Sequence, residues 1–474
     1  MFSEQFYIDQ LLAHKIKPNS WLALYVVRAY LQGHMCVNIA EQLFPQISTL
    51  FADVQSIPLE VELSAEIEQS VRKEAQEPLP PTLIIDGQSI YLEKAHRLEK
   101  SLMCEVQRLA SAEPYLKLRS ISHPEHLTQE QRSAIDLSCS YPFTLITGGP
   151  GTGKTYTAGV WLKSIAVSTS GRLRVALVAP TGRAVQNLER SIKRFIEDNV
   201  TFETQTLHRA ISTESMLPYH AIIIDEGSMI DADLMVRFLR LIHGGVRILM
   251  LGDSDQLPPI EPGQPFVQLR SVPRATLVES RRTASSSLLE LFDAVRSGDG
   301  EKMFDVLSSA SDCQIYECQS KEDWQVVRAK IETFFDDELL QKNIILTPVR
   351  KGPWGSEELN KLFLPRSDSH QPVVVTKNLH TYSLMNGELG LFDKAQGLIR
   401  FDQGTLPAVL CPHIDLAYAM TVHKSQGSEF ETVFFILPPG AIVDKRLIYT
   451  ACTRAKKRLI IAANKEDLLI SLGS

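Results

Sequence analysis

The stretch Phe143-Thr144-Leu145-Ile146-Thr147-Gly148-Gly149-Pro150-Gly151-Thr152-Gly153-Lys154-Thr155 decides how the rest of the chain is read. Phe143 to Ile146 has the length and apolarity of a buried strand. It runs into a loop that fits G-x-x-x-x-G-K-[ST], and a helix is expected to follow, which is the setting this motif requires. Glycines let backbone N–H groups converge on phosphate oxygens without Cβ clashes, and the helix N-terminus adds partial positive charge. Lys154 is placed to neutralise the β- and γ-phosphates of ATP, and Thr155 to bind Mg²⁺. Gly148, Gly149, Pro150, Gly151, Thr152, Gly153, Lys154 and Thr155 are therefore the predicted nucleotide loop.

Further runs of strand length lie downstream: Val175 to Val178, Ala221 to Ile224 and Val246 to Leu251. Each ends at Gly, Pro or acid, and amphipathic segments separate them, which is the signature of a parallel α/β sheet. Ile222-Ile223-Ile224-Asp225-Glu226 puts two carboxylates at a strand tip, where ligands sit in open α/β sheets. Asp225 is placed to hold Mg²⁺ through water, and Glu226 to polarise an attacking water. After the next strand, the amide of Gln256 is a candidate for contact with the γ-phosphate or with that water. The strand pattern returns at Asn343 to Leu346, Val433 to Leu437 and Leu459 to Ala462, so a second α/β domain is expected. Between these, Val373 to Val375, Gly390 to Phe392, Gly397 to Phe401 and Ala408 to Leu410 read as an inserted β-barrel. Hydrolysis needs charge stabilisation at the transition state, and an arginine finger on the second domain would couple ATP state to domain closure; Arg282 and Arg454 are the candidates.

The 474 residues suggest about three or four domains at roughly 100–200 residues each. With 44% hydrophobic and 22% charged residues, a disordered or low-complexity chain is excluded. The net charge of −7 rules out a wholesale basic coat for nucleic acid but not a local groove. Its distribution is uneven: residues 1–115 carry 9 Lys and Arg against 15 Asp and Glu, leaving 40 against 41 in the remainder. Residues 1 to about 60 show helical spacing at Leu11, Leu12, Ile16, Leu22, Tyr25, Val26 and Ala29. Pro78 to Pro81 breaks any helix, a short hairpin is expected over 83–92, and a helix resumes at Glu93. The seven cysteines are scattered and lack metal-ligand spacing, which reads as reduced thiols of a cytoplasmic protein. Cys313 and Cys318, the nearest pair, lack the two further ligands a metal would need. No signal peptide and no membrane span are expected.

From Leu127 to Arg458 the order of motifs resembles a superfamily 1 DNA helicase, and in particular the RecD family, the alpha subunit of exodeoxyribonuclease V. Leu127-Thr128-Gln129-Glu130-Gln131 resembles the Q-motif, which implies that Gln131 recognises adenine. Ala179 to Ala184 resembles motif Ia and Thr206 to Arg209 its companion. Asp225 to Met229 resembles motif II and Gly252 to Pro259 motif III. Ser280-Arg281-Arg282 resembles motif IV, Ala419 to Phe430 motif V, and Tyr449 to Ala455 motif VI, with Arg454 at the finger position. Lys351 to Gly355 and Asn386 to Gly390 resemble stretches of RecD proteins rather than of helicases at large. Three departures stand out: Gly227 where relatives often have Ala, Arg281 where they often have an aromatic, and only a short Ile211 to Pro218 loop where stand-alone members carry a β-hairpin pin.

The resemblance implies two RecA-like domains, an inserted SH3-like β subdomain, and an N-terminal mainly helical domain that docks on a partner. The expected boundaries are 1–115 for the docking domain, 120–272 for the first RecA-like domain, 273–364 with 412–474 for the second, and 365–411 for the insertion. It implies an ATP- and Mg²⁺-dependent motor moving 5′→3′ on single-stranded DNA and acting at duplex ends. Thr181, Arg183, His208, Thr421 and His423 are the strand-facing candidates. Partners would be a helicase-nuclease beta subunit and a gamma subunit, with nuclease chemistry in the partner. The phosphate loop alone also fits a nucleotide-dependent switch without movement; the motifs resembling Ia, V and VI favour the motor.

Overall fold

A strand buried on both faces carries apolar side chains at nearly every position, and the runs flanking the phosphate loop meet that demand. The computed structural model describes residues 26, 29–30, 35–38, 83–86, 89–116, 118, 123–169, 171–213, 219–280, 286–335, 340, 342–364, 369–382, 384–402 and 404–473. Strands β4 (Phe143–Gly148), β5 (Leu173–Ala179), β6 (Val200–Thr206), β7 (Ala221–Ile224), β8 (Arg247–Gly252) and β9 (Arg274–Leu277) form one parallel sheet in the order β6-β5-β7-β8-β4-β9. Alternation assigns its side chains to two cores. Phe143 and Leu145 face Met235 and Phe238, whereas Ile146 faces Trp161 and Leu162.

Helices follow the strands. The earliest long helix is α1 (Glu93–Ala110), then α2 (Gln129–Ser140), α3 (Lys154–Val167) after the phosphate loop, α4 (Gly182–Ile192) after β5, and α5 (Ala232–Leu239) after β7. The start of α2 is fixed by a reciprocal capping box between Thr128 and Gln131. Thr181 caps α4 and Asp231 caps α5.

A second parallel sheet has the order β10-β19-β18-β11-β17, from β10 (Cys313–Glu317), β11 (Asn343–Thr347), β17 (Ala419–Thr421), β18 (Phe430–Ile436) and β19 (Ala455–Ala463). Helix α6 (Lys445–Cys452) precedes β19. Between β11 and β17 lies an antiparallel sheet, β15-β14-β13-β12-β16, made of β12 (His370–Val375), β13 (Leu389–Asp393), β14 (Leu398–Phe401), β15 (Gly404–Pro407) and β16 (Ile414–Leu416).

Three expectations change. Strand β9 pairs with β4, so the first sheet runs past 272 to Leu277. Strand β16 pairs with β12, so the inserted sheet runs past 411 to Leu416. Ala408-Val409-Leu410, read as a strand, is a 3₁₀ turn with Val409 85% exposed; the strand is its polar neighbour β15. At the N-terminal end the described residues include β1 (Cys36–Asn38), β2 (Leu83–Asp86) and β3 (Ser89–Leu92), an antiparallel sheet in the order β1-β3-β2. Val26, Ala29 and Tyr30 are helical; Leu11, Leu12, Ile16, Leu22 and Tyr25 lie outside the described residues. None of the seven cysteines is in a disulfide, and no helix among the described residues is long and apolar enough to cross a membrane.

One buried cation holds the entry to the first sheet. Arg247 on β8 is 4% exposed and meets no carboxylate among the described residues. Its guanidinium donates instead to the carbonyls of Leu116 (2.9 and 3.1 Å), Cys139 (3.0 Å), Tyr141 (3.3 Å) and Ser138 (3.5 Å). It thereby pins the segment before α2 and the end of α2 to the edge of the core. Desolvation lowers its pKa, a cost that the carbonyl dipoles offset.

Candidate active site

The phosphate loop joins β4 to α3, and Gly153, which precedes α3, has φ +83°. A side chain there would be strained and would also meet the Gln131 amide 2.6 Å away. Lys154 Nζ donates to the carbonyls of Gly148 (2.6 Å) and Gly149 (3.0 Å), and Thr152 Oγ1 to Gly149 O (2.9 Å). The ammonium is thus folded over the loop, on the side where a phosphate would replace the carbonyls. Gln131, expected to read adenine, has both polar atoms engaged. Its Nε2 donates to Thr152 O (3.3 Å) and its Oε1 accepts from Thr128 N (3.2 Å). It braces the loop, for which the T-x-x-Q spacing of a capping box is the sequence signal, and each of the two atoms keeps a second hydrogen-bonding position.

Two strands away, β7 is followed directly by Asp225 and Glu226. Asp225 N donates to Val178 O (2.9 Å), and Asp225 Oδ1 accepts from Glu226 N (2.9 Å). Burial raises the Asp225 pKa, the charge of Glu226 raises it further, and Lys154 opposes both. A cation beside Asp225 would relieve that penalty. Asp225 and the Thr155 hydroxyl offer hard oxygen donors, which suit Mg²⁺ with phosphate and water completing its shell. Among the described residues no group of three His, Cys, Asp or Glu makes an all-protein metal site. Glu226 has φ +52°, the sole positive value outside glycine among the described residues, and such strain gathers at functional sites.

Lys154, Thr155, Asp225 and Glu226 line one cavity of about 630 Å³ together with Gln256, Arg183 and Arg454. Arg454 comes from the second sheet, at the junction of α6 and β19, and is 4% exposed. Its guanidinium donates to Thr450 O (3.1 Å), Ser428 O (3.2 Å) and Thr453 Oγ1 (3.5 Å). The other arginine candidate, Arg282, lies outside the described residues. Gln256 is buried and donates through Nε2 to Asp253 Oδ2 (3.1 Å), while its Oε1 has no partner among the described residues. The cavity wall beyond Thr155 carries Tyr156, with the Arg194 guanidinium 5.2 Å over its ring.

The strand-facing candidates divide. Thr181 Oγ1 accepts from Ala184 N (3.2 Å) and lies 3.6 Å from where a Cβ on Gly427 would sit. Asn187 Nδ2 donates to Gly427 O (3.2 Å), so α4 meets the loop after β17 directly. Thr421 ends β17, and its Oγ1 accepts from Lys424 N (3.3 Å); the loop holds His423, whose pKa burial lowers. His208 is exposed on the short helix Leu207–Ser212. Arg183, predicted to face the strand, instead lines the nucleotide cavity, 6.0 Å over the Phe430 ring and with Nη1 buried and unpartnered. The cause is the seating of α4: a Cβ on Gly182 would lie 2.2 Å from Met385 Cβ, so Gly182 takes the face against the inserted sheet and Arg183 turns to the cleft. Asp253 and Tyr449, which meet inside the cleft, are contacts the sequence alone did not expose.

A family profile described as AAA domain matches residues 126–317, and one described as UvrD-like helicase C-terminal domain matches 416–462. The RecBCD enzyme subunit RecD of Mycolicibacterium smegmatis is 28% identical over 82% of this chain and 80% of its own. The ATP-dependent RecD2 DNA helicase of Deinococcus radiodurans is 31% identical over 71% of this chain, which spans 49% of that relative. Among solved structures, two coordinating Pif1 helicases at forked duplex DNA align at 18% identity and TM-score 0.48, covering 72% of this chain and 94% of that one.

Proposed function

We propose that this chain, which belongs to the RecD family of superfamily 1 DNA helicases, moves 5′→3′ along single-stranded DNA as the alpha subunit of a heterotrimeric exodeoxyribonuclease V in double-strand break repair and recombination. It is an ATP-dependent DNA helicase. The observation that carries the motor reading is one cavity lined by Lys154, Asp225 and Glu226 of the first sheet and by Arg454 of the second. A nucleotide there touches both bodies, so its hydrolysis changes how they meet.

Lys154 exchanges the carbonyls of Gly148 and Gly149 for β- and γ-phosphate oxygens. Thr155 and Asp225 would hold Mg²⁺, which would supply positive charge to neutralise the phosphates. Glu226 takes a proton from the attacking water, Gln256 orients that water, and Arg454 stabilises charge on the transferred phosphoryl group. Thr181, Thr421 and His423, near the contact of α4 with the 421–427 loop, grip the strand backbone, with His208 further along and Arg282 as a second cleft arginine. In this reading the two parallel sheets are the RecA-like domains and the antiparallel insertion is the SH3-like subdomain. Residues 1–115 dock on the beta helicase-nuclease and gamma subunits, and nuclease chemistry belongs to the partner. That the Mycolicibacterium relative is a RecBCD enzyme subunit supports that assignment.

Strand displacement on duplexes with a 5′ or a 3′ tail, by the purified chain and by the co-expressed complex, tests it. Unwinding from the 5′ tail is expected, lost in Lys154→Gln. Unwinding from the 3′ tail alone refutes the polarity.

A further inference from the structure

The loop after β8 is clamped from the second sheet by three hydrogen bonds. Leu257 N donates to Thr450 Oγ1 (2.9 Å), Gln426 Nε2 donates to Leu257 O (3.4 Å), and Tyr449 Oη donates to Asp253 Oδ2 (3.4 Å). Tyr449 and Asp253 are 3% and 2% exposed. The phenol also overhangs the phosphate loop: a Cβ on Gly149 would lie 3.1 Å from its oxygen. Asp253 accepts from three donors: Tyr449 Oη and Gln256 Nε2 on Oδ2, and Asp255 N (3.1 Å) on Oδ1.

This arrangement settles which way the Gln256 amide points. A carboxylate only accepts, so Asp253 selects the NH₂ end of the amide and turns the oxygen the other way. That oxygen is the buried, unpartnered Oε1, in a residue lining the nucleotide cavity. We propose that Tyr449 and Asp253 are positioning residues for ATP hydrolysis, fixing Gln256 so that its oxygen accepts a hydrogen bond from the attacking water. The inference rests on the roles given above to Gln256 and Glu226. A water has two protons; with one directed to Glu226 and the other to Gln256 Oε1, a lone pair is left for phosphorus. As the water oxygen bonds to phosphorus and the bond to the ADP oxygen breaks, the proton passes to Glu226. Because Tyr449 stands on the helix leading to Arg454, the same contact sets Gln256 when the second sheet is in place. Burial and the charges of Asp253 and Asp255 raise the phenol pKa, which keeps Tyr449 a donor.

Steady-state ATPase of the full chain with saturating single-stranded DNA tests this through Tyr449→Phe, which removes one oxygen and keeps the ring. The expected result is a kcat about tenfold lower, the strength of one hydrogen bond to a charged group, with KM for ATP within about twofold. In a Gln256→Ala background the same change is expected to cost nothing further, because the group it positions is gone. Asp253→Asn, whose amide accommodates either orientation of Gln256, is expected to lose at least as much kcat. A Tyr449→Phe kcat within twofold of the parent overturns the proposal. So does an undiminished tenfold loss in the Gln256→Ala background, which would make the hydroxyl merely structural. If Glu226→Gln is inactive while Tyr449→Phe is normal, the hydrolytic site stands and only this inference falls.

Discussion

Removing the Arg454 guanidinium offers a graded test of the cleft. Arginine carries five N–H donors. Three are spent on Thr450 O, Ser428 O and Thr453 Oγ1. One hydrogen on each terminal nitrogen is left, in a residue that lines the nucleotide cavity. Two hydrogen bonds from a cation to the transferred phosphoryl group, at about 1.5–3 kcal/mol each, sum to about 3–6 kcal/mol. If they strengthen as charge develops, Arg454→Ala lowers turnover by roughly 10²- to 10⁴-fold. The three contacts to protein groups hold the side chain rigid, so little of that energy is lost to ordering it.

The assay is DNA-stimulated ATP turnover, run beside nucleotide affinity and thermal unfolding. Affinity is expected to change little, because Lys154 and the loop hold the ground-state phosphates. Arg454→Lys is expected to fail nearly as badly. A single ammonium cannot reach the Thr450 and Ser428 carbonyls and a phosphate together, and it lacks the planar fork. Turnover within tenfold of the parent in folded Arg454→Ala would refute the reasoning, since the two remaining donors would then have no anion to meet.

Arg247→Met leaves the carbonyls of Leu116, Cys139 and Tyr141 without their donor; at about 1 kcal/mol or more each, urea unfolding should show a loss of about 3 kcal/mol, and a loss below about 0.5 kcal/mol contradicts the pin. Asp225 has a native pKa raised above its unfolded value of about 4, so the nucleotide-free chain loses stability as pH rises between the two values and is level above. Mg²⁺ needs the carboxylate, so Mg·ATP affinity should fall on acidification through that raised pKa; an equally steep fall in Asp225→Asn sinks the assignment. Gly182→Val drives a branched side chain into Met385, and amide exchange over 384–391 should rise as the inserted sheet loosens from α4; unchanged exchange argues against that seating.

What the sequence revealed follows from which contacts a strand makes. Strands β4, β5, β7 and β8 are covered on both faces and announce themselves as apolar runs. Strand β6 escaped notice because it is the sheet edge: Val-Thr-Phe-Glu-Thr-Gln-Thr alternates and only Val200 is buried. Strand β9 closes the other edge with Arg-Ala-Thr-Leu, buried only at Leu277, which is why the first sheet was expected to end at 272. In the insertion the reverse holds, since Val409 and Leu410 are apolar and yet exposed to water. Apolarity reports burial only where a second layer exists to supply it.

The site divides along a similar line. A phosphate loop is legible because its chemistry requires contiguity: glycines, lysine and threonine must follow one another for the backbone to close on a phosphate. Tyr449 and Asp253 are 196 residues apart, and only the docking of one sheet on the other brings them together. Thr181 and Arg183 show the same limit at short range. Thr181 is the N-cap, with extended backbone, and Arg183 lies in the first turn of α4, so a helix start that presents Thr181 to the loop after β17 aims Arg183 elsewhere. Met385 against Gly182 fixes where, and Arg183 faces the nucleotide cavity. Within three residues the start of α4 therefore meets the loop after β17, the insertion at Met385 and the nucleotide cavity. In the proposed motor, a rigid helix touching all three passes a change at the cleft on to the loop proposed to grip the strand.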